Sequence, residues 1–157
     1  MSDRPDVAAL VAGALPGLPE DALGRLVAAS EVVEVAPGGR VIHEGEAADA
    51  LFVVAGGFVQ LSLHQRQRDL PVATVGTGEL LGWSWLVPPH RWDFDASSTD
   101  GATLVRMPAA ELRSVMDDDP ATAAVLATTV AAVVSRRLRD TRIQLLDLYA
   151  RTAGESP

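Results

Sequence analysis

The hydrophobic pattern changes period twice along the chain. The first segment, LPEDALGRLVAAS, sets Leu23, Leu26 and Val27 on one face at helical spacing. Pro19 suits a first turn, and Glu20 and Asp21 favour the positive end of a helix dipole. From Glu31 the period becomes that of strands. EVVEVAPGGRVIHEGEAADALFVVAGGFVQLSL holds β-branched runs separated by PGG, GEAAD and GG, which predicts strands of about 4–6 residues joined by tight turns. LSLHQRQRDLPVATVGTG continues as a polar-tipped hairpin and a further strand, and DGATLVRMP supplies one more. Many short strands in this order predict a small barrel or jelly roll.

Beyond the strands the pattern is helical again. Pro108 opens PAAELRSVMDD, and Asp119 is a candidate N-cap for a long helix from near Pro120 to about Tyr149. Along that helix Val130, Val134, Leu138, Thr141, Leu145 and Leu148 are spaced 4, 4, 3, 4 and 3, close to a coiled-coil seam. A helix of this length extends about 45 Å, longer than a small barrel is wide. Its far end is expected on a second copy in a parallel homodimer. The alternative is a monomer with the helix folded back.

Composition narrows the classes. The chain of 157 residues is 48% hydrophobic and 22% charged, the size and balance of one globular domain. No run is expected to approach the length of about 20 apolar residues that spans a bilayer, and the N-terminus shows no secretory pattern. Cysteine is absent, so disulfides and thiolate metal sites are excluded and a cytoplasmic location is the default. The net charge is −8 and every cation except histidine is arginine, which argues against a nucleic-acid binder. The one basic cluster, Arg136, Arg137, Arg139 and Arg142, reads as the solvated face of a helix.

Against this aliphatic background GWSWLVPPHRWDF stands apart. It holds all three tryptophans, Trp83, Trp85 and Trp92, with Pro88, Pro89, His90, Arg91 and Asp93 among them. Strand alternation in RWDFDA puts Trp92, Phe94 and Ala96 on an interior face and Arg91, Asp93 and Asp95 on a rim.

Two further marks carry a family resemblance. EGEAADALFVVAGGFVQL resembles the Gly turn and Asp-x-Leu-aromatic-Val-Val-x-x-Gly-x-Val run of the cyclic-nucleotide-binding domain, with Gly45, Asp49, Leu51, Phe52, Val53, Val54, Gly57 and Val59 in place. VGTGELLG resembles the mark that precedes the ligand segment, matching at Gly76, Gly78, Glu79 and Gly82. The likeness covers residues 15 to 149. It implies a mainly β fold with flanking helices, an eight-stranded jelly-roll (double-stranded β-helix) barrel of the catabolite-activator effector type. The expected layout is one domain over 1–157, with the barrel at about 31–107 and C-terminal helices at about 108–149. Asp49 is expected to accept bonds from turn amides.

The resemblance also implies where a ligand would lie. In members that bind cyclic AMP or GMP, a phosphate-binding cassette presents helix amides to the phosphate, a glutamate to the ribose hydroxyl and an arginine to the phosphate charge. Aligned from Gly82, the ribose glutamate position is Trp83 and the small alanine beside the nucleotide is Trp85. The phosphate arginine position is Trp92, followed by Asp93 and Phe94. Glu79 lies four residues too early to serve. Arg91 alone, one position early, is left as a cation, and Pro88 and Pro89 remove two amide donors. The divergent ligand segment thus comprises Gly82, Trp83, Ser84, Trp85, Leu86, Arg91, Trp92 and Asp93.

The functional expectation is a non-enzymatic regulatory domain, dimeric, that does not bind cyclic AMP in the usual way and acts as a sensor or on a protein partner. The alternative is a true effector-binding regulator taking a cyclic nucleotide, or an apolar or aromatic ligand stacked on the tryptophans with Arg91 at its anionic end. No cofactor is required. A helix-turn-helix is not expected, since nothing basic or helical follows Arg151. GWSWL matches only half of a nucleophile elbow, with Leu86 at the second glycine, and Ser84 reads as a turn or rim hydroxyl. His90 with Asp93 and Asp95 matches no recognised metal-ligand spacing. His43 and His64 read as surface or packing residues.

Overall fold

The computed structural model describes residues 3–154. Two short helices come first, α1 (Val7–Ala14) and α2 (Glu20–Ala29). The pattern foretold α2 but not α1. Asp6 caps α1 by accepting the Ala9 amide at 3.1 Å. The sequence VAALVAGA is apolar or small all round, so no polar face marks its period. Eight strands follow: β1 (Glu31–Val35), β2 (Gly39–Ile42), β3 (Ala50–Gly57), β4 (Val59–Gln65), β5 (Arg68–Val75), β6 (Leu80–Leu81), β7 (Asp95–Ser98) and β8 (Ala102–Pro108). The chain then forms α3 (Ala109–Asp118) and the 35-residue α4 (Pro120–Gly154).

The strands form two antiparallel four-stranded sheets, ordered β1-β8-β3-β6 and β2-β7-β4-β5. The expected mainly β fold of eight strands with helices at its ends is present, and the two sheets face each other with no ladder joining them, so the barrel of the expectation is not closed. Between them lie Phe52, Val54, Leu61, Leu81, Ala96 and Leu104, all buried. The β3–β4 turn needs Gly57, whose φ is +76°. A Cβ there would stand 2.6 Å from the Gly101 carbonyl oxygen, an approach only glycine permits.

The helices close one end. Leu112 and Val115 of α3 and Leu26 of α2 enter the same core. Arg25 ties α2 to α3 through Glu111 at 3.1 Å, Asp118 at 2.6 Å and Ser114 at 2.7 Å. Asp119 caps α4 as expected, accepting from the Ala121 amide at 3.1 Å and the Thr122 hydroxyl at 2.9 Å.

Two readings of α4 change. Val130, placed on the outer seam, is only 5% exposed and faces its own domain with Thr122, Leu126 and Val133. The face that binds the domain and the seam are neighbours on the helix, and at Val130 the domain takes the residue. One 18-residue window of α4 has a mean hydropathy of 1.3 and is long and apolar enough to cross a membrane, contrary to the expectation of no such run. Alanine and threonine accumulate in it (ATAAVLATTVAAVV) without breaking the run.

Asp49 also differs from expectation. Its carboxylate pairs with Arg106 at 3.2 Å, and its main-chain carbonyl, not its side chain, accepts the Ala109 amide at 2.8 Å.

Leu104 is wholly buried on β8, which pairs with both β1 and β3. Leu104→Ala is expected to cost about 2–5 kcal/mol of folding free energy, read as a lower urea midpoint at unchanged slope. A loss under 1 kcal/mol would mean the site collapses freely around the gap.

Candidate functional site

The tryptophan segment joins β6 to β7 and covers the open end of the space between the sheets. Gly82 leaves β6 in the left-handed region, φ +89°, and turns the chain into a single 3-10 turn at Trp83–Trp85. The return path is pinned to residues 45–48 by main-chain bonds. The Gly45 amide donates to the Trp92 carbonyl at 2.9 Å, the Trp92 amide to Glu46 at 2.9 Å, and the Ala48 amide to His90 at 2.8 Å.

These bonds deliver Trp92 inward. Its ring lies 6.3 Å from Phe52 and against the bare Cα face of Gly82. Trp83 is half-buried, meeting the edge of Phe94 at 5.7 Å and stacking under the Arg137 guanidinium of α4 at 5.6 Å. Trp85 is completely buried in the core, and its indole nitrogen has no partner. The Trp85 carbonyl is held by Arg113 Nη2 and by His90 Nδ1, each at 2.9 Å.

The space left between these groups is about 10 Å³, lined by Ile42, Leu61, Gly82, Trp83, Ser84, Trp92, Asp93 and Phe94. That holds about one water molecule, against the roughly 300 Å³ at which small-molecule sites begin. Five of the eight segment residues named from the sequence line it: Gly82, Trp83, Ser84, Trp92 and Asp93. Three do not. Trp85 and Leu86 pack away from it, and Arg91 is exposed, donating to the Gly45 carbonyl at 2.8 Å. Ile42 and Leu61 were not singled out; being inward strand positions among many, they carried no signal of their own.

The rim assignment holds for Arg91 and Asp93, both exposed. Asp95 is corrected: it is 4% exposed, because the regular strand begins only at Asp95. Its buried charge is met by the Glu44 amide at 2.8 Å and Arg40 at 3.3 Å. Ser84 is a turn hydroxyl, the first of the two places expected for it, but it is buried rather than on the rim and donates to Asp93 at 3.3 Å. His90 and Asp95 are thus engaged elsewhere, and among the described residues no cluster of three or more His, Asp or Glu stands ready for a metal. His43 and His64 sit on the surface beside Glu46 and Asp69.

Arg137 is the cation that the sequence placed wrongly. Arg136, Arg139 and Arg142 are solvated as expected, but Arg137 is half-buried over Trp83 with its Nε unpartnered. Burial pushes its guanidinium below its usual pKa, and the nearby carboxylates of Glu79 and Asp140 offset this only in part. An orphan nitrogen of this kind has no sequence signature.

The sequence pattern of the cyclic nucleotide-binding domain matches residues 32–119, more than half of the chain. The chain belongs to the cyclic nucleotide-binding domain family. Among solved structures, a Geobacter metallireducens protein described as cyclic nucleotide-binding superimposes with a TM-score of 0.73 at 27% identity, over 83% of this chain and 95% of that one. The N-terminal domain of a transcriptional regulator from Streptomyces coelicolor does so at 0.65 and 28%, over 89% and 95%. The sensor domain of the regulator DNR from Pseudomonas aeruginosa shares the fold at 0.67 and 20%, over 82% and 89%. No curated protein matches by sequence.

In this cyclic nucleotide-binding domain Trp83 meets Phe94 and Trp92 meets Phe52. Gly82 is the hinge of the arrangement: a Cβ there would lie 2.8 Å from Trp92 Cζ3 and 3.4 Å from the Ala50 carbonyl oxygen. Gly82→Ala is expected to cost about 2 kcal/mol or more from strain at positive φ together with displacement of the indole. It should also red-shift tryptophan emission as Trp92 is pushed toward solvent. Wild-type emission and stability in this variant would show that the indole is not seated against Gly82.

Proposed function

We propose that this protein is a regulatory, non-enzymatic domain whose nucleotide site is filled by its own Trp83, Trp92 and Phe94. On this reading it does not take cyclic AMP or cyclic GMP in the usual way. It transmits through protein contacts, first of all a homodimer along α4, in the cytoplasm, without direct nucleic-acid or membrane contact. The observation that supports the reading is that only about 10 Å³ remains among Trp83, Trp92 and Phe94, in the segment that the resemblance aligns with the family's ligand segment. Electrostatics support it: the one arginine of the segment is turned onto Gly45, while Asp93 lines the space. A cyclic phosphate would enter without a cation and beside a carboxylate, at a cost of several kcal/mol.

The dimer rests on α4. Beyond Val133 every described residue except Arg137 is exposed. Leu138, Leu145 and Leu148 are 61%, 50% and 59% exposed, and with Val134 and Thr141 they make one stripe at heptad spacing. Covering each leucine would contribute about 1.5–3 kcal/mol.

Two measurements test these parts separately. In titrations followed by tryptophan emission and calorimetry, cyclic AMP and cyclic GMP are expected to produce no change up to millimolar concentration. Saturable binding in the micromolar range would refute the filled site. In light scattering, the wild-type chain is expected at twice its monomer mass and Leu145→Arg at the monomer mass. Equal masses for the two proteins would rule out the α4 seam.

A further inference from the structure

The end of the sandwich farthest from the tryptophan segment carries a cavity of its own. β3 starts at Ala50, whose carbonyl oxygen lies beside Gly82, and runs away from the segment to Gly57. β7 leaves the segment at Asp95 and reaches Ser98 at the same far end. There the β3–β4 turn at Gly57 and Phe58 meets the β7–β8 turn at Thr99, Asp100 and Gly101, around a space of about 210 Å³. This space shares no residue with the one beside Trp92. It is smaller than the roughly 300 Å³ at which drug-sized sites begin, so it suits a small occupant.

The two turns hold each other in place. Gly57 and Gly101 both sit at positive φ, +76° and +92°, and the bare Cα of Gly57 lets the Gly101 carbonyl come close. The Ser98 hydroxyl donates to the Phe58 carbonyl at 2.7 Å. Phe58 is thereby fixed in a one-residue connection between β3 and β4, 68% exposed, with its ring beside Gly76. A ring left mostly in water contributes little to folding by burial.

The chemistry around the ring is that of acceptors. Asp100 supplies a carboxylate, Gln60 a side-chain carbonyl, and Thr74 and Thr99 hydroxyls. No arginine or histidine lines the space. Among the described residues Asp100 forms no salt bridge, so no neighbouring cation offsets its charge. The net charge of −8 adds a field that draws cations. A quaternary ammonium ion would leave the oxygens unused and asks for a cage of several rings. A planar guanidinium stacks on one ring and donates to a carboxylate at its edge.

We propose that this cavity binds a small monovalent guanidinium compound, its cation stacked on Phe58 and its N–H groups donating to Asp100 and the neighbouring neutral oxygens. The inference stands apart from the filling of the tryptophan segment, because the two spaces lie at opposite ends of the strands.

The test titrates butylguanidinium, its neutral isostere butylurea, and tetramethylammonium into the isotope-labelled full chain. The Gly57 and Gly101 amides are followed by NMR, and the heat by calorimetry. Butylguanidinium is expected to give saturable shifts at both amides and to bind about tenfold more tightly than either control. Asp100→Asn should weaken it about tenfold, to the level of butylurea. Phe58→Ser should weaken it about threefold, the size of an exposed cation–π contact. Asp117→Asn removes the same charge from the end of α3 and should leave binding unchanged. All three positions are exposed, so the variants are expected to fold; should one fail to, the three ligands on the wild type decide alone. Butylurea or tetramethylammonium binding as tightly as butylguanidinium would overturn the proposal. So would equal losses in Asp100→Asn and Asp117→Asn, undiminished binding by Phe58→Ser, or no response to millimolar butylguanidinium.

Discussion

The seating of one indole governs the ligand end of the domain. Trp92 occupies the interior between Phe52 and the bare face of Gly82, and the main chain on both sides of it is bonded to residues 45 and 46. The ring is therefore placed by backbone pairing as well as by its own hydrophobicity. A buried indole removes about 150–250 Å² from water, which at about 25 cal/mol per Å² is roughly 4–6 kcal/mol as an upper bound. Any molecule needing that space must first expel the ring. A penalty of about 4 kcal/mol raises a dissociation constant about a thousandfold, so even a site with micromolar intrinsic affinity would respond only at millimolar ligand.

The polar groups around the plug agree with this. Each charge at the open end already has a local partner or faces water: Asp95 is satisfied by Glu44 and Arg40, Asp93 by Ser84, and Arg91 by Gly45. None is held in reserve for a phosphate. The 3-10 turn at Trp83–Trp85 spends its one closing bond, from the Leu86 amide to the Trp83 carbonyl, on itself.

Much of this was legible in the sequence, for identifiable reasons. The strand segments showed because β-branched runs alternate with glycine turns, and Asp119 showed as a cap because its role is local. The gathering of all three tryptophans in one segment was visible directly, and the inward set Trp92, Phe94 and Ala96 followed from alternation. What escaped depends on distance in space. Whether the two sheets join at their edges depends on pairings between distant strands, which no local pattern announces. Asp95 is buried because Arg40, more than fifty residues earlier, comes to meet it. Val130 faces inward because α4 is rolled by its capping and packing at Thr122 and Leu126, and the heptad pattern cannot report that rotation. α1 escaped for a different reason, having no polar face to reveal its period.

The same limit explains Arg137. In the sequence it is one of four arginines on a helix, and three of them behave as such. The fourth faces Trp83, whose ring also meets Phe94 edge-on. Plug and helix are thus one construction. The indole below supplies a face for the cation, and among the described residues of α4 beyond Val133 that cation is the one half-buried side chain. A cation–π contact of about 1–2 kcal/mol in partly desolvated surroundings is too weak to fix a long lever against thermal motion. It is strong enough to bias the lever's position. Burial and the neighbouring Arg136 hold that guanidinium below its usual pKa against the pull of Glu79 and Asp140, so the contact is made by a cation already partly stripped of water.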